Sequence, residues 1–272
     1  MSARISGTIH LHPTAPLAER VLLPGDPARA LLFAQALLSS PVMFNHHRGL
    51  WGYTGTAPDG EPITVQSTGI GGPSAAIVIS ELAELGARRL VRAGTCGALT
   101  GELDLRDLVI ASEAIPADGT SRALLPGDPL LRGDPLLRGD PLLPGGPLQP
   151  GDPLQPGDPL LLGDPLLPAP ELLAAVSAAA GPGARSGPVV STDLFYDDRE
   201  GEEQRWIEAG AIAVDMETAT LFALAAVRGL EAASLLLVTD LLLGGRTRIE
   251  AEALREGEHR LGAVAVASLG GC

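Results

Sequence analysis

The sequence predicts an α/β fold of three layers, α/β/α, around a mixed, largely parallel central sheet. Three observations lead there. Short apolar runs alternate with segments of strong helix formers along most of the chain. The runs end in polar, mostly glycine-rich turns: PGDP (24–27), STGIGG (67–72), RAGTCG (92–97), STDLFY (191–196), VDMET (214–218) and VTD (238–240). Ligands of such sheets sit at the carboxyl ends of the strands, so these turns point to one composite site on one rim. Finally, the 272 residues are 45% hydrophobic and 19% charged, ample material for a core.

The elements follow in order. The run VLL (21–23) stops at PGDP, and ARALLFAQALL (28–38) is rich in helix formers: strand, tight turn, helix. MFNHHRGLWGYTGTAPDGEPITVQSTG (43–69) reads as strand, turn at Pro58–Gly60, strand. In GIGGPSAAIVISELAELG (69–86), Pro73 and Ser74 are placed to start a helix and Gly86 to end it. RRLVRAG (88–94) is a strand running into a small-residue turn, TCGAL; LRDLVIASEA (105–114) is another strand. SGPVVSTDLFY (186–196) is a strand with a polar and aromatic turn, and AIAVDMETATLFALAAVRGL (211–230) a strand followed by a helix. AASLLLVTD (232–240) is a buried strand, and IEAEALREGEHRLGAVAVASL (249–269) a long amphipathic helix.

Between these halves, residues 126–167 are seven hexapeptides in phase, PGDPLL being typical. Pro and Gly in the units stop a helix or a ladder strand from running through them. The stretch reads as an expanded surface loop interrupting a single domain of residues 1–272. Its two RGD tripeptides read as coincidence. PGDP therefore has two settings, and only Pro24–Pro27 stands between a strand and a helix.

Composition excludes several classes. The formal net charge is −14, against a free nucleic-acid backbone as partner. All 19 basic residues are arginine, so no Schiff-base or P-loop lysine exists and any phosphate grip uses Arg and backbone N–H. Cys96 and Cys272 alone make neither a disulfide framework nor a zinc cluster, and no metal is expected. No run of about 18 uncharged apolar residues occurs. No apolar signal region opens the chain, so a soluble cytoplasmic protein is expected.

The turn residues form a pattern. VLLPGDPARA, NHHRGLWGYTGT, STGIGGPS, RAGTCGAL, STDLFY, VDMETATLFALA and VTD, in that order, resemble the nucleoside phosphorylase family, above all its hexameric bacterial purine enzymes. The resemblance covers residues 8–122 and 170–272 and not the repeat. It implies the fold of that family, inorganic phosphate as co-substrate, no cofactor, and a homo-oligomer, a hexamer built as a trimer of dimers, whose subunits share active sites. For phosphate it implies Gly25, Arg29, Arg92 and Thr95, with Arg48 from a neighbouring subunit. For ribose it implies Met216 and Glu217, with His10 (His12 close behind) from the neighbour. For the base it implies Phe195 as a stacking ring with Cys96, Gly97 and Val214 around it. Asp240 would protonate the leaving purine at N7, oriented by an arginine, nearest Arg255, with Arg246 or Arg248 as alternatives because LLLGGRTRI is longer than the family pattern.

The residues themselves support parts of this. Gly25 lets backbone N–H approach an anion at a helix N-terminus. Arg92 within LVRAG and Asp240 at the end of LLLVTD are charges in apolar strands, costly without a partner. The function implied is phosphorolysis of purine nucleosides, as in purine salvage. The near alternatives are a uridine phosphorylase and a nucleosidase using water. The uridine enzymes read uracil with Gln and Arg after the Phe-Tyr turn, which FYDDREGEEQR does not match in position. A Rossmann dinucleotide site would need the third glycine that GIGGPS lacks.

Overall fold

The computed structural model describes residues 7–125 and 165–270. The chain runs β1 (Arg20–Leu23), α1 (Pro27–Leu37), β2 (Ser39–Asn45), β3 (Gly52–Thr56), β4 (Pro62–Gln66), α2 (Gly71–Leu85), β5 (Arg89–Ala98), β6 (Leu108–Ala117) and α3 (Gly119–Leu124). After the undescribed segment come α4 (Pro170–Ala180), β7 (Ala184–Thr192), α5 (Glu202–Glu208), β8 (Ala213–Asp215), α6 (Thr218–Arg228), β9 (Glu231–Leu241), β10 (Thr247–Arg248) and α7 (Ala251–Leu269). Most of the repeat, and Cys272, lie outside the described residues.

Strands from both sides of the repeat join one ten-stranded mixed sheet, ordered β10-β9-β6-β7-β8-β5-β1-β4-β3-β2. A further pairing of β9 with β5 closes β5, β9, β6, β7 and β8 into a ring. Parallel pairings of β1 with β4 and β5, and of β5 with β9, bring their carboxyl ends to one rim.

Alternation along the strands divides the core. In β1, Val21 and Leu23 face one cluster with Val78, Ile79 and Leu82 of α2 and Phe222 of α6. Leu22 faces the other, with Phe33 of α1, Val176 of α4 and Leu261 of α7. These are the two helical layers. Helix α7 lies tight on the sheet and on α1 because two of its residues lack side chains. A Cβ on Gly257 would come within 2.8 Å of Leu237, and one on Gly262 within 2.6 Å of Phe33.

The expected turn TCGAL is a departure. Strand β5 continues through Thr95, Cys96 and Gly97 to Ala98, with a register shift between Cys96 and Gly97. Pairing on both sides, with β9 and β8, outweighs the local preference of small residues for a turn. At the other end of the repeat, Leu166 is not part of a free loop. It exchanges two 2.8 Å backbone hydrogen bonds with Ala114 and packs on the core.

Candidate active site

The PGDP turn is built by capping. Asp26 accepts from the Ala28 amide at 2.8 Å and Pro27 takes the first helical position, so α1 starts immediately after β1. The Thr68 and Gly69 amides donate to Pro24 and Gly25 oxygens at 2.9 and 3.0 Å, joining two of the rim turns. A Cβ on Gly25 would lie 3.2 Å from the Gly69 oxygen, so the glycine permits this approach.

These turns line a cavity of about 1440 Å³ at the carboxyl ends of the strands. It brings together Gly25, Arg29, Arg48, Arg92, Thr95, Cys96, Gly97, Phe195, Val214, Met216, Glu217 and Asp240. Asp215 and Arg246 line it as well.

Arg92 is buried on β5 and held by two carboxylates. Its Nε donates to Asp215 at 3.0 Å and its Nη2 to Glu217. Its Nη1 is buried and has no hydrogen-bond partner among the described residues. Burial alone would favour neutral Arg92, but Glu217 and Asp215 outweigh it and keep the guanidinium firmly charged. Gly94 makes room for the guanidinium, since a Cβ there would meet it at 2.6 Å. Asp215 is fixed in turn by the Ser191 and Thr218 hydroxyls, both at 2.6 Å. Glu217 accepts from the Gly71 amide at 2.6 Å, tying the start of α6 to the start of α2. Desolvation, reinforced by Asp215, pushes the Glu217 carboxyl above the usual range despite Arg92. Arg29, also buried, donates from Nε to Glu258 of α7 at 2.8 Å. Arg48 is exposed in a left-handed conformation at φ 58°. Burial pushes the Cys96 thiol well up, so Cys96 acts as a neutral lining group.

At the other end of the cavity, Asp240 is buried at the end of β9 and accepts from the Thr239 hydroxyl at 2.9 Å. Its guanidinium partner is Arg246, with Nε 3.5 Å from Oδ1. The same guanidinium lies over the half-exposed Phe195 ring, 4.4 Å from its centroid. Arg255, the arginine expected from the resemblance, is exposed on α7 and outside the cavity lining, whereas Arg246 is its named alternative. The β9–β10 loop turns back through Gly244 and Gly245, at φ 74° and 111°, and so delivers an earlier arginine. His10 also lies outside the lining. Its ring bonds Glu81 at 2.8 Å, and His12 stacks on His47 with centroids 3.8 Å apart.

The sequence reading did not name Asp215 or Glu258. A buried counterion for Arg92 was foreseeable in kind, and Asp215 stands beside the Met-Glu pair. Nothing local marks Glu258, which lies 229 residues from Arg29.

The cavity thus joins two buried arginines, a half-buried Met216 beside a buried Glu217, and an aromatic ring near a buried acid. The family model of the phosphorylase superfamily matches residues 19–269. This chain belongs to the phosphorylase superfamily. A DeoD-type purine nucleoside phosphorylase of Alkaliphilus metalliredigens is 35% identical over 236 residues, 86% of this chain and 88% of that protein. One from Geobacillus kaustophilus is 35% identical over 233 residues, 85% of each. Among solved structures, a Toxoplasma gondii purine nucleoside phosphorylase in complex with immucillin-H matches with TM-score 0.72 and 25% identity, covering 93% of this chain and 90% of that one. A Vibrio fischeri uridine phosphorylase shares the fold at TM-score 0.72 and 24% identity, covering 93% and 91%. The superfamily, the mixed sheet and the helices on its two faces agree with the fold expected from sequence.

Proposed function

We propose that this protein phosphorolyses purine nucleosides to the free base and (deoxy)ribose 1-phosphate, using inorganic phosphate and no resident cofactor. The observation that carries the reading is that Arg29, at the start of α1, and Arg92 line the same cavity as Glu217, Phe195 and Asp240. Arginine forks and a helix N-terminus suit a phosphate. Glu217 accepts from ribose hydroxyls and Met216 packs on the sugar. Phe195 stacks on the base. As the C1′–N9 bond breaks and phosphate bonds to C1′, Asp240 acts as the general acid that passes a proton to N7, so the base leaves neutral. Little covalent chemistry falls to the protein; charge and positioning do the work. Arg246, beside Asp240 and Phe195, takes the orienting role.

The reading includes a homo-oligomer, a hexamer in the closest form, in which His10 and Arg48 serve the neighbouring subunit's site. It also includes a cytoplasmic place in purine salvage. The exposed Arg48, and the exposed Ile9, Val42 and Met43 near the histidine segment, support such an interface. The two DeoD-type relatives named above, both purine nucleoside phosphorylases, support the substrate.

The test is base release from inosine, guanosine, adenosine and uridine, each with and without phosphate. Phosphate-dependent release from a purine nucleoside, lost in Asp240→Ala, is the expected result. Release without phosphate would make the protein a nucleosidase. Preference for uridine would show that Asp240 has been misassigned.

A further inference from the structure

We propose that Glu258 is a positioning residue for the anion site: it clamps Arg29 from behind so that the two terminal nitrogens face the cavity. The inference rests on the phosphate role given to Arg29 above.

The two buried cavity arginines are each gripped at Nε, and Arg92 in addition gives Nη2 to Glu217. In Arg92 the Nε is taken by Asp215 at 3.0 Å, and in Arg29 the Nε is taken by Glu258 at 2.8 Å. A guanidinium gripped at Nε keeps its outer edge, and that edge is the one that meets a phosphate with two parallel hydrogen bonds. For Arg29 neither Nη has a protein partner among the described residues. Glu258 itself is outside the cavity lining, so it orients the arginine without standing where the anion would. The pair is mostly buried, with side chains 9% and 13% exposed, so surrounding atoms restrict its geometry. Helix α7 brings Glu258 there by seating on α1, where Gly262 admits Phe33. A free, four-torsion arginine at this place would have to be ordered by each incoming phosphate, and the clamp removes that cost.

The test uses the full chain with Glu258→Ala, Glu258→Gln and Glu258→Asp. Steady-state rates are measured against phosphate and against nucleoside separately, and phosphate-induced thermal stabilisation is measured without nucleoside. Losing a hydrogen bond to a charged group costs about 10- to 100-fold. The expected result is a phosphate KM raised about tenfold or more in E258A, with nucleoside KM unchanged and phosphate stabilisation reduced. E258Q, whose amide oxygen still accepts from Nε, recovers most of the phosphate affinity, and E258D less. A phosphate KM that is unchanged or lower in the variants, with wild type responding to phosphate, overturns the inference and leaves the phosphate reading intact. If E258A does not fold, E258Q and E258D decide by the same readouts. Should wild type neither release base nor gain stability with phosphate, the reading of Arg29 fails and the inference falls with it.

Discussion

Arg246 touches both working parts of the base end, the Asp240 carboxylate at 3.5 Å and the Phe195 ring at 4.4 Å. One planar group does both, stacking on the ring while its edge meets the carboxylate, and a point-charge ammonium on a flexible stem does this less well. Arg246→Ala is therefore expected to lower kcat/KM for the purine substrate about tenfold or more, and Arg246→Lys to restore little of it. Arg255→Ala should leave both constants as they are; loss of activity there would return the orienting role to α7. The difference between the two arginines marks where sequence reading stops. Asp240, Arg92 and Glu217 were legible because each is a charge set against an apolar strand or a helix start, where the chain itself advertises the cost. Which arginine meets Asp240 depends on the path of a loop. Two glycines with positive φ, Gly244 and Gly245, decide that path, and residue spacing does not record it. Glu258 is further from reach still, because its partnership with Arg29 exists only once α7 lies on α1.

At the scale of elements, the segment preceding β1 is fastened by one side chain. The Glu81 carboxylate of α2 accepts from the Ile9, His10 and Leu11 amides, the last at 2.7 Å, and from the His10 ring. Burial pushes this carboxyl up, but the bonds from His10, Leu11 and Ile9 prevail and its net shift is downward. A lowered folded value means stability that is present above the unfolded pKa, about 4.3 for Glu, and lost as pH falls through the folded value. Amide exchange of residues 9–11, corrected for intrinsic rates, should accordingly be slow at neutral pH and speed up below about pH 4. Glu81→Gln should exchange faster at neutral pH and show little of this acid transition. An unchanged acid transition in Glu81→Gln would assign it to another group. Element by element, helices α1, α2, α6 and α7 and most strands were legible from apolar periodicity and from Gly86 and PGDP, whereas α3 and α4 were not. Strand β5 overran its expected end because β8 and β9 supply hydrogen-bond partners that no local rule contains. Helix α5, with EEQRWIE, is short and mostly polar, so it carried no periodic signal.

For the whole molecule, the repeat is the obvious target. Replacing 126–164 with a short Gly/Ser linker should leave the circular dichroism spectrum and the phosphorolysis rate close to wild type. Extending the cut through 167 should lower the melting temperature, because it removes Leu166 and both of its bonds to Ala114. Equal stability of the two deletions would show that this bridge contributes nothing. The three-layer fold was legible because elements alternate along the chain. Ring closure was not, since it depends on β9 meeting β5 across 130 or so residues of intervening chain.

That ring has a consequence for how the protein meets copies of itself. Five strands hydrogen-bond around a circle and offer no free margin. The sheet keeps two outer strands, and β10 is only two residues long. The remaining margin, β2, carries Pro41, which has no N–H to give, and two register shifts that break its ladder. A strand from another molecule finds no regular row of donors and acceptors to copy. Contact through this margin must rest on side chains such as Val42 and Met43, whose fit is finite and specific. Side-chain contacts of that kind are compatible with a closed assembly, whereas strand-on-strand growth has no natural end.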